Sequence, residues 1–122
     1  MEMRITTHFP HSRLQAYQVA LEMAVAAKAL SDRVPRGFRS FADQILRSAG
    51  STVAQISEGA NRRTAAEKRN AFGRARGEAG ETAAHAELLA TLGVVPEADA
   101  ERVMLLADRV AAMLTKLIRR QS

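Results

Sequence analysis

The chain has no cysteine and no tryptophan, three prolines, and only one tyrosine and four phenylalanines in 122 residues. Without cysteine there can be no disulfide and no thiolate metal site, which fits a reducing, cytoplasmic setting. The aromatics are Phe9, Tyr17, Phe38, Phe41 and Phe72, too few to lead one to expect the base-stacking platforms that grip single strands. Long apolar runs are also missing. The first apolar stretch, Val19 to Ala27, is broken by Glu22 and is too short and interrupted to span a bilayer. It also comes too late for the core of a signal peptide. No segment alternates strictly with β-branched residues, so no strand is expected. There is no nucleophile elbow, phosphate-cradling glycine loop or paired-carboxylate motif, so no enzyme, metal or cofactor is expected.

Positive charge and helical spacing are what the sequence has. Eighteen Lys and Arg against thirteen Asp and Glu give a net charge of +5 and a pI near 10.7. That balance favours an acidic partner: RNA, DNA or an anionic membrane face. Three breaker zones, Val34–Gly37, Glu58–Arg63 and Gly93–Pro96, divide the chain into four segments of helical length. Residues 1–11 read as a flexible tail and 12–120 as a single domain. The pattern predicts an all-α, up-down-up-down antiparallel four-helix bundle.

Helix one is expected over Ser12 to Arg33, capped by Ser12, with Leu14, Tyr17, Leu21 and Ala24 as its apolar stripe and Val25 and Leu30 widening it. Helix two is expected over Ser40 to Glu58, capped by Ser40 with Asp43, its apolar face formed by Phe41, Ile45, Ala49, Thr52 and Ile56. Thr64-Ala65-Ala66-Glu67 is a capping box that opens helix three. Helix four starts near Pro96, with acids in its early turns and Lys116, Arg119 and Arg120 at its end, as the helix dipole prefers.

Three features carry functional weight. The first is a basic cluster: Arg62 and Arg63 before helix three, then Lys68, Arg69, Arg74 and Arg76 on its first half. It reads as a phosphate-binding surface or as a solubilising face. Arg119 and Arg120 form a second basic patch. Arg36 and Arg39 in the first turn and Lys116, Arg119 and Arg120 at the C-terminus offer further patches, and sequence alone does not merge the patches into one site. The second feature is a polar stripe on helix two, Gln44, Arg47, Ser51, Gln55 and Glu58. It is either a solvated face or a hydrogen-bonded seam to a neighbour; Arg47 and Glu58 are too far apart to pair with each other. The third is Gly73, Gly77 and Gly80 inside helix three. Together they cost about 2–3 kcal/mol relative to alanine, which points to close packing within the bundle or across a subunit boundary. Histidines add little: His8 and His11 fall in the expected tail, and His85 lies four residues after Glu81 as a surface pair.

The residues also carry a resemblance. Gln44-Ile45-Leu46-Arg47-Ser48-Ala49-Gly50-Ser51, then Ile56-Ser57-Glu58-Gly59 and Arg62-Arg63-Thr64, resemble the signature of the four helix bundle protein family, Q-L-R-R-A-x-x-S-I-x-x-N-I-x-E-G followed by R and a Ser or Thr cap. That family is known from intervening sequences inside bacterial large-subunit ribosomal RNA genes and is related to the accessory variability determinant proteins of diversity-generating retroelements. Ala75-Arg76-Gly77, Glu81 and Leu92-Gly93 extend the match; Thr52, Gln55 and Glu78 depart from it, and Lys68 and Arg74 stand where the family is commonly apolar or aromatic. The resemblance implies a homopentameric ring without enzyme activity. In its retroelement branch it implies binding to structured RNA and to a reverse transcriptase. It also implies that Arg47, Ser51, Gln55, Glu58 and Gly59 are architectural, with Gly77 and Glu81 among the packing residues. The alternative is a scaffold that docks an acidic protein and no nucleic acid.

Overall fold

The structure is a computed structural model that describes residues 7–121. Four helices follow one another: α1 (Gln15–Asp32), α2 (Arg39–Asn61), α3 (Ala65–Thr91) and α4 (Glu97–Arg120). Short 3-10 turns at Pro10–Arg13 and Arg36–Phe38 precede α1 and α2. Each helix packs on its chain neighbours, and α1 packs on α4 to close the bundle. No strand occurs among the described residues.

Small residues set the helix spacing. Of 26 buried hydrophobic residues, 13 are alanine, so neighbouring backbones come close and the few large side chains carry most of the apolar burial. Those large residues are chiefly Met23, Leu30, Ile45, Ile56, Phe72, Leu89 and Leu114. Between α2 and α3 the buried hydroxyls bond to one another or to the helix backbone. Thr82 Oγ1 donates to Ser48 Oγ at 2.8 Å, and Thr52 Oγ1 to the Ser48 carbonyl at 2.8 Å. Their polarity is therefore satisfied inside the core.

Several helix boundaries and faces differ from expectation. Ser12 does not cap α1: it sits in the 3-10 turn and bonds Thr7, while Leu14 takes the N-cap position without a side-chain cap. Part of the segment read as tail is therefore folded onto the bundle; residues 1–6 lie outside the described residues. Ser40 likewise lies inside α2, which the Arg36–Phe38 turn feeds directly, and Asp43 pairs with Arg39 at 3.7 Å instead of completing a cap. On α1 the core face is Ala16, Val19, Ala20, Met23, Ala26, Ala27 and Leu30, and Val25 is half exposed. Apolar residues surround this helix, and its alanines take the side that two close neighbours leave narrow.

The glycines also divide differently from expectation. Beside Gly73, Gly77 and Gly80 a Cβ would meet nothing within 4 Å, so close packing within the chain does not explain them. The tight contact is at Gly59, where a Cβ would stand 2.7 Å from the Phe72 ring. Gly59 is thus an interior residue of α2, which runs on to Asn61 rather than stopping at Glu58. Gly93 is the one residue with positive φ among the described residues, +74°. It closes α3 while Val94 N–H reaches back to the Leu89 carbonyl at 3.1 Å.

Candidate nucleic-acid interface

Antiparallel topology places the α2–α3 turn, the entry to α1 and the end of α4 at one pole of the bundle. The contacts agree: Arg69 donates to the Gln121 carbonyl, and Pro10, Leu14, Lys68, Leu117 and Gln121 line one shallow hollow. Among the described residues of the connecting segments and the five terminal residues of each helix, this pole holds eight cations (Arg13, Arg62, Arg63, Lys68, Arg69, Lys116, Arg119 and Arg120) against Glu58 and Glu67. The opposite pole holds Lys28, Arg33, Arg36 and Arg39 against six carboxylates, Asp32, Asp43, Glu87, Glu97, Asp99 and Glu101. The two basic patches that sequence kept separate, before α3 and at the end of α4, thus share one pole. Arg36 and Arg39 belong to the other.

The local chemistry of the turn fixes this surface. Thr64 Oγ1 accepts from Glu67 N–H at 3.1 Å, and Glu67 Oε1 accepts from Thr64 N–H at 3.3 Å, completing the expected capping box. Lys68 Nζ donates to the Gly59 and Ala60 carbonyls at 3.3 and 3.0 Å, satisfying the last turn of α2. Its ammonium is therefore committed to the fold.

Much of the expected basic cluster is similarly engaged. Arg74 donates to Gln55 at 3.0 Å and to Glu58 at 2.6 Å, Arg76 donates to Thr115 at 2.8 Å, and Arg62 pairs with Glu58 at 3.1 Å. Arg74 and Arg76 also lie along the bundle rather than at its pole. Among the described residues, no ion pair or side-chain hydrogen bond engages Arg13, Arg63, Lys116, Arg119 or Arg120. Lys116 belongs to the C-terminal patch expected from sequence, and Arg13 is an addition to the expected patches. Their place follows from topology, since the entry to helix one and the exit of helix four must meet the second turn.

The polar stripe of α2 is a seam to α3. Arg47 pairs with Glu78 at 3.5 Å and with Glu81, Ser51 Oγ donates to Glu78 at 3.0 Å, and Gln55 and Glu58 receive Arg74. His85 Nε2 lies 3.5 Å from Glu81. Hydrogen bonds from Arg62, then Arg74, hold the Glu58 carboxyl below the ordinary value of 4.5. At Glu81 desolvation pushes upward most strongly, but the charge and hydrogen bond of Arg47, with smaller help from Glu78 and His85, outweigh it and leave the pKa lowered. A depressed carboxyl stabilises the fold above its unfolded pKa and loses that effect as pH falls through the folded one. Melting temperature should therefore drop as pH is taken below about 4.5, and Glu58→Gln should flatten part of that acid limb. An unaltered limb in a pH series of thermal melts would show that the fork contributes nothing.

His11, read as a solvated tail residue, is packed. Its Nδ1 accepts from Asn61 Nδ2 at 2.9 Å and lies 3.2 Å from Ser57 Oγ, and its ring lies 4.7 Å from that of Tyr17. His8 is exposed. No group of three metal-ligating side chains occurs among the described residues. No described helix is long and apolar enough to cross a membrane.

Against this geometry the sequence profile of the 23S rRNA-intervening sequence proteins matches residues 12–116. The chain belongs to that family. A solved structure from the S23 ribosomal protein family, a protein of unknown function from Bacteroides thetaiotaomicron, superposes with a TM-score of 0.78 at 25% identity. The alignment covers 85% of this chain and 95% of that one. A comparison with curated proteins gives no match. Neither the description of the intervening-sequence family nor that of the structural relative names a catalytic activity. In this member of the family, Phe9, Arg119 and Arg120 lie just outside the matched stretch.

Proposed function

We propose that this intervening-sequence family protein is a non-catalytic, cytoplasmic accessory protein that binds structured RNA through the phosphates at its cationic pole. The observation that carries the reading is the concentration of eight cations against two carboxylates at one end of the bundle. Such contacts go to the backbone and are largely indifferent to sequence. Arg63, Arg119 and Arg120 are the foremost phosphate ligands, because the fold leaves them unengaged among the described residues. Lys68, Arg69 and Arg62 shape the surface, and Arg74 and Arg76 chiefly join helices. An RNA-handling enzyme such as a reverse transcriptase is the partner this role calls for.

Affinity for a structured RNA measured across a salt series tests the proposal. Log K should fall linearly with log salt, by about 0.7–0.9 for each phosphate neutralised. Absence of binding near 50 mM salt, where phosphate contacts are strong, would leave the pole to an acidic protein partner.

Self-association belongs to the same proposal. A ring would present several poles at once and raise avidity by effective concentration. Gly73, Gly77 and Gly80 support it, since they form an open face of α3 and their helix penalty has no return inside the chain. Gly77→Leu should lower the mass seen by light scattering to that of one chain while leaving the helical circular-dichroism signal intact. An unchanged mass would remove this face from the assembly.

A further inference from the structure

Phe9 is 61% exposed and is the one exposed aromatic among the described residues; the other exposed large apolar side chains, Val25, Leu88, Leu92 and Leu105, are aliphatic. Single exposed apolar residues are common and need no function. Phe9 differs in how firmly it is held. Its ring stacks on His11, with centroids 5.6 Å apart and planes 17° from parallel. His11 in turn rests against Tyr17 and is pinned through Nδ1 by Asn61, with Ser57 alongside. The backbone is tied as well: Ser12 N–H donates to the Phe9 carbonyl at 3.0 Å, and Phe9 N–H to Thr7 Oγ1 at 3.4 Å. One ring face is therefore backed by a fixed stack of side chains, and the ring stands at the cationic pole. Asn61, which holds His11, immediately precedes Arg62 and Arg63, and Pro10 borders the hollow that contains Lys68.

From this arrangement we infer that Phe9 is a stacking platform for an unpaired RNA base, whose flanking phosphates are held by the neighbouring arginines. The inference rests on the RNA-binding reading and adds a preference to it: RNA with an unpaired end or loop is held better than a blunt duplex. An unstacked base has two bare π-faces, and a ring already locked in place loses little entropy in receiving one. In a duplex both faces are covered by neighbouring base pairs, so the ring has nothing to grip. The sparse aromatic content gives no hint of this, because one ring suffices when cations lie beside it.

The test uses the full chain and two RNA duplexes, each of two annealed strands and equal in phosphate number, one with a short unpaired adenosine tail and one blunt. Phe9→Ala should weaken binding to the tailed duplex by about five- to hundredfold, with the salt slope and the blunt-duplex affinity unchanged. Phe9→Trp should keep the affinity. Because the chain has no tryptophan, the introduced indole should report stacking as fluorescence quenched by the tailed duplex and not by the blunt one. Equal losses on both RNAs, or no loss on the tailed one, would overturn the platform and leave the phosphate surface standing. Failure of the unaltered protein to bind either duplex would overturn both readings.

Discussion

Arg63→Glu, Arg119→Glu and Arg120→Glu combined are expected to reduce affinity for structured RNA by roughly a thousandfold near 50 mM salt. The size follows from counterion release. Each phosphate contact contributes about 0.7–0.9 to the slope of log K against log salt, so three lost contacts lower it by about 2–2.7. Carried from the molar range down to 50 mM, that difference in slope amounts to about three decades. The three residues suit the experiment because their replacement breaks no ion pair among the described residues. Arg74→Gln is the matched control. It removes a charge of the same kind, but one that serves Gln55 and Glu58, and should leave the slope where it was. A common slope for the triple variant and the unaltered protein would mean that RNA, if bound, is held elsewhere.

Phe72→Ala should cost about 3–5 kcal/mol, a large share of the roughly 5–15 kcal/mol that holds a domain together. Alanines supply half of the buried hydrophobic residues, so removing one of the few large side chains leaves little around it that can collapse into the gap. Thermal melts should fall by roughly 10–25 °C for a domain of this size. The opposite substitution at the same contact is also informative. Gly59→Ala gains about 1 kcal/mol of helix propensity but drives a methyl group to 2.7 Å from the Phe72 ring and 3.2 Å from the Ala71 Cβ. We expect a net loss of about 1–3 kcal/mol from overpacking. With Phe72→Leu in the background the methyl has room, and the penalty should shrink or change sign, a coupling of about 0.5–3 kcal/mol. Equal penalties in both backgrounds would mean that the ring is not what keeps position 59 a glycine.

Local chemistry was legible in the sequence, and partnership between helices was not. Thr64 and Glu67 announce the start of α3 because both capping bonds close within four residues. The apolar spacing from Val103 to Leu114 marks the core face of α4 because Val103, Leu106, Ala107, Val110 and Leu114 recur at helical intervals. Ser12 and Ser40 misled because a serine beside a helical run caps only if the chain turns there, and 3-10 turns lead into both helices from other positions. Periodicity placed Arg47 and Glu58 on one face of α2, and it required each to find a partner elsewhere. That Arg47 meets Glu78 and Glu81 while Glu58 meets Arg74 depends on the register of α3. The same lack of register hid that Lys68 closes the end of α2 and that Arg74, itself exposed, bridges two helices. Phe9 was hidden for a different reason: exposure is a property of the assembled surface, and nothing in Thr7–Arg13 gives it away.

The uneven distribution of cations along the bundle also bears on how the molecule arrives at a partner. A body with its positive charge gathered at one end carries a permanent dipole along its long axis. In the field of a polyanion it turns that end forward during diffusion, so that collisions are aligned before any atom touches. Salt then acts on the association rate as well as on the lifetime of the complex. The long flanks, the α2–α3 seam among them, then trail behind and point away from the polyanion.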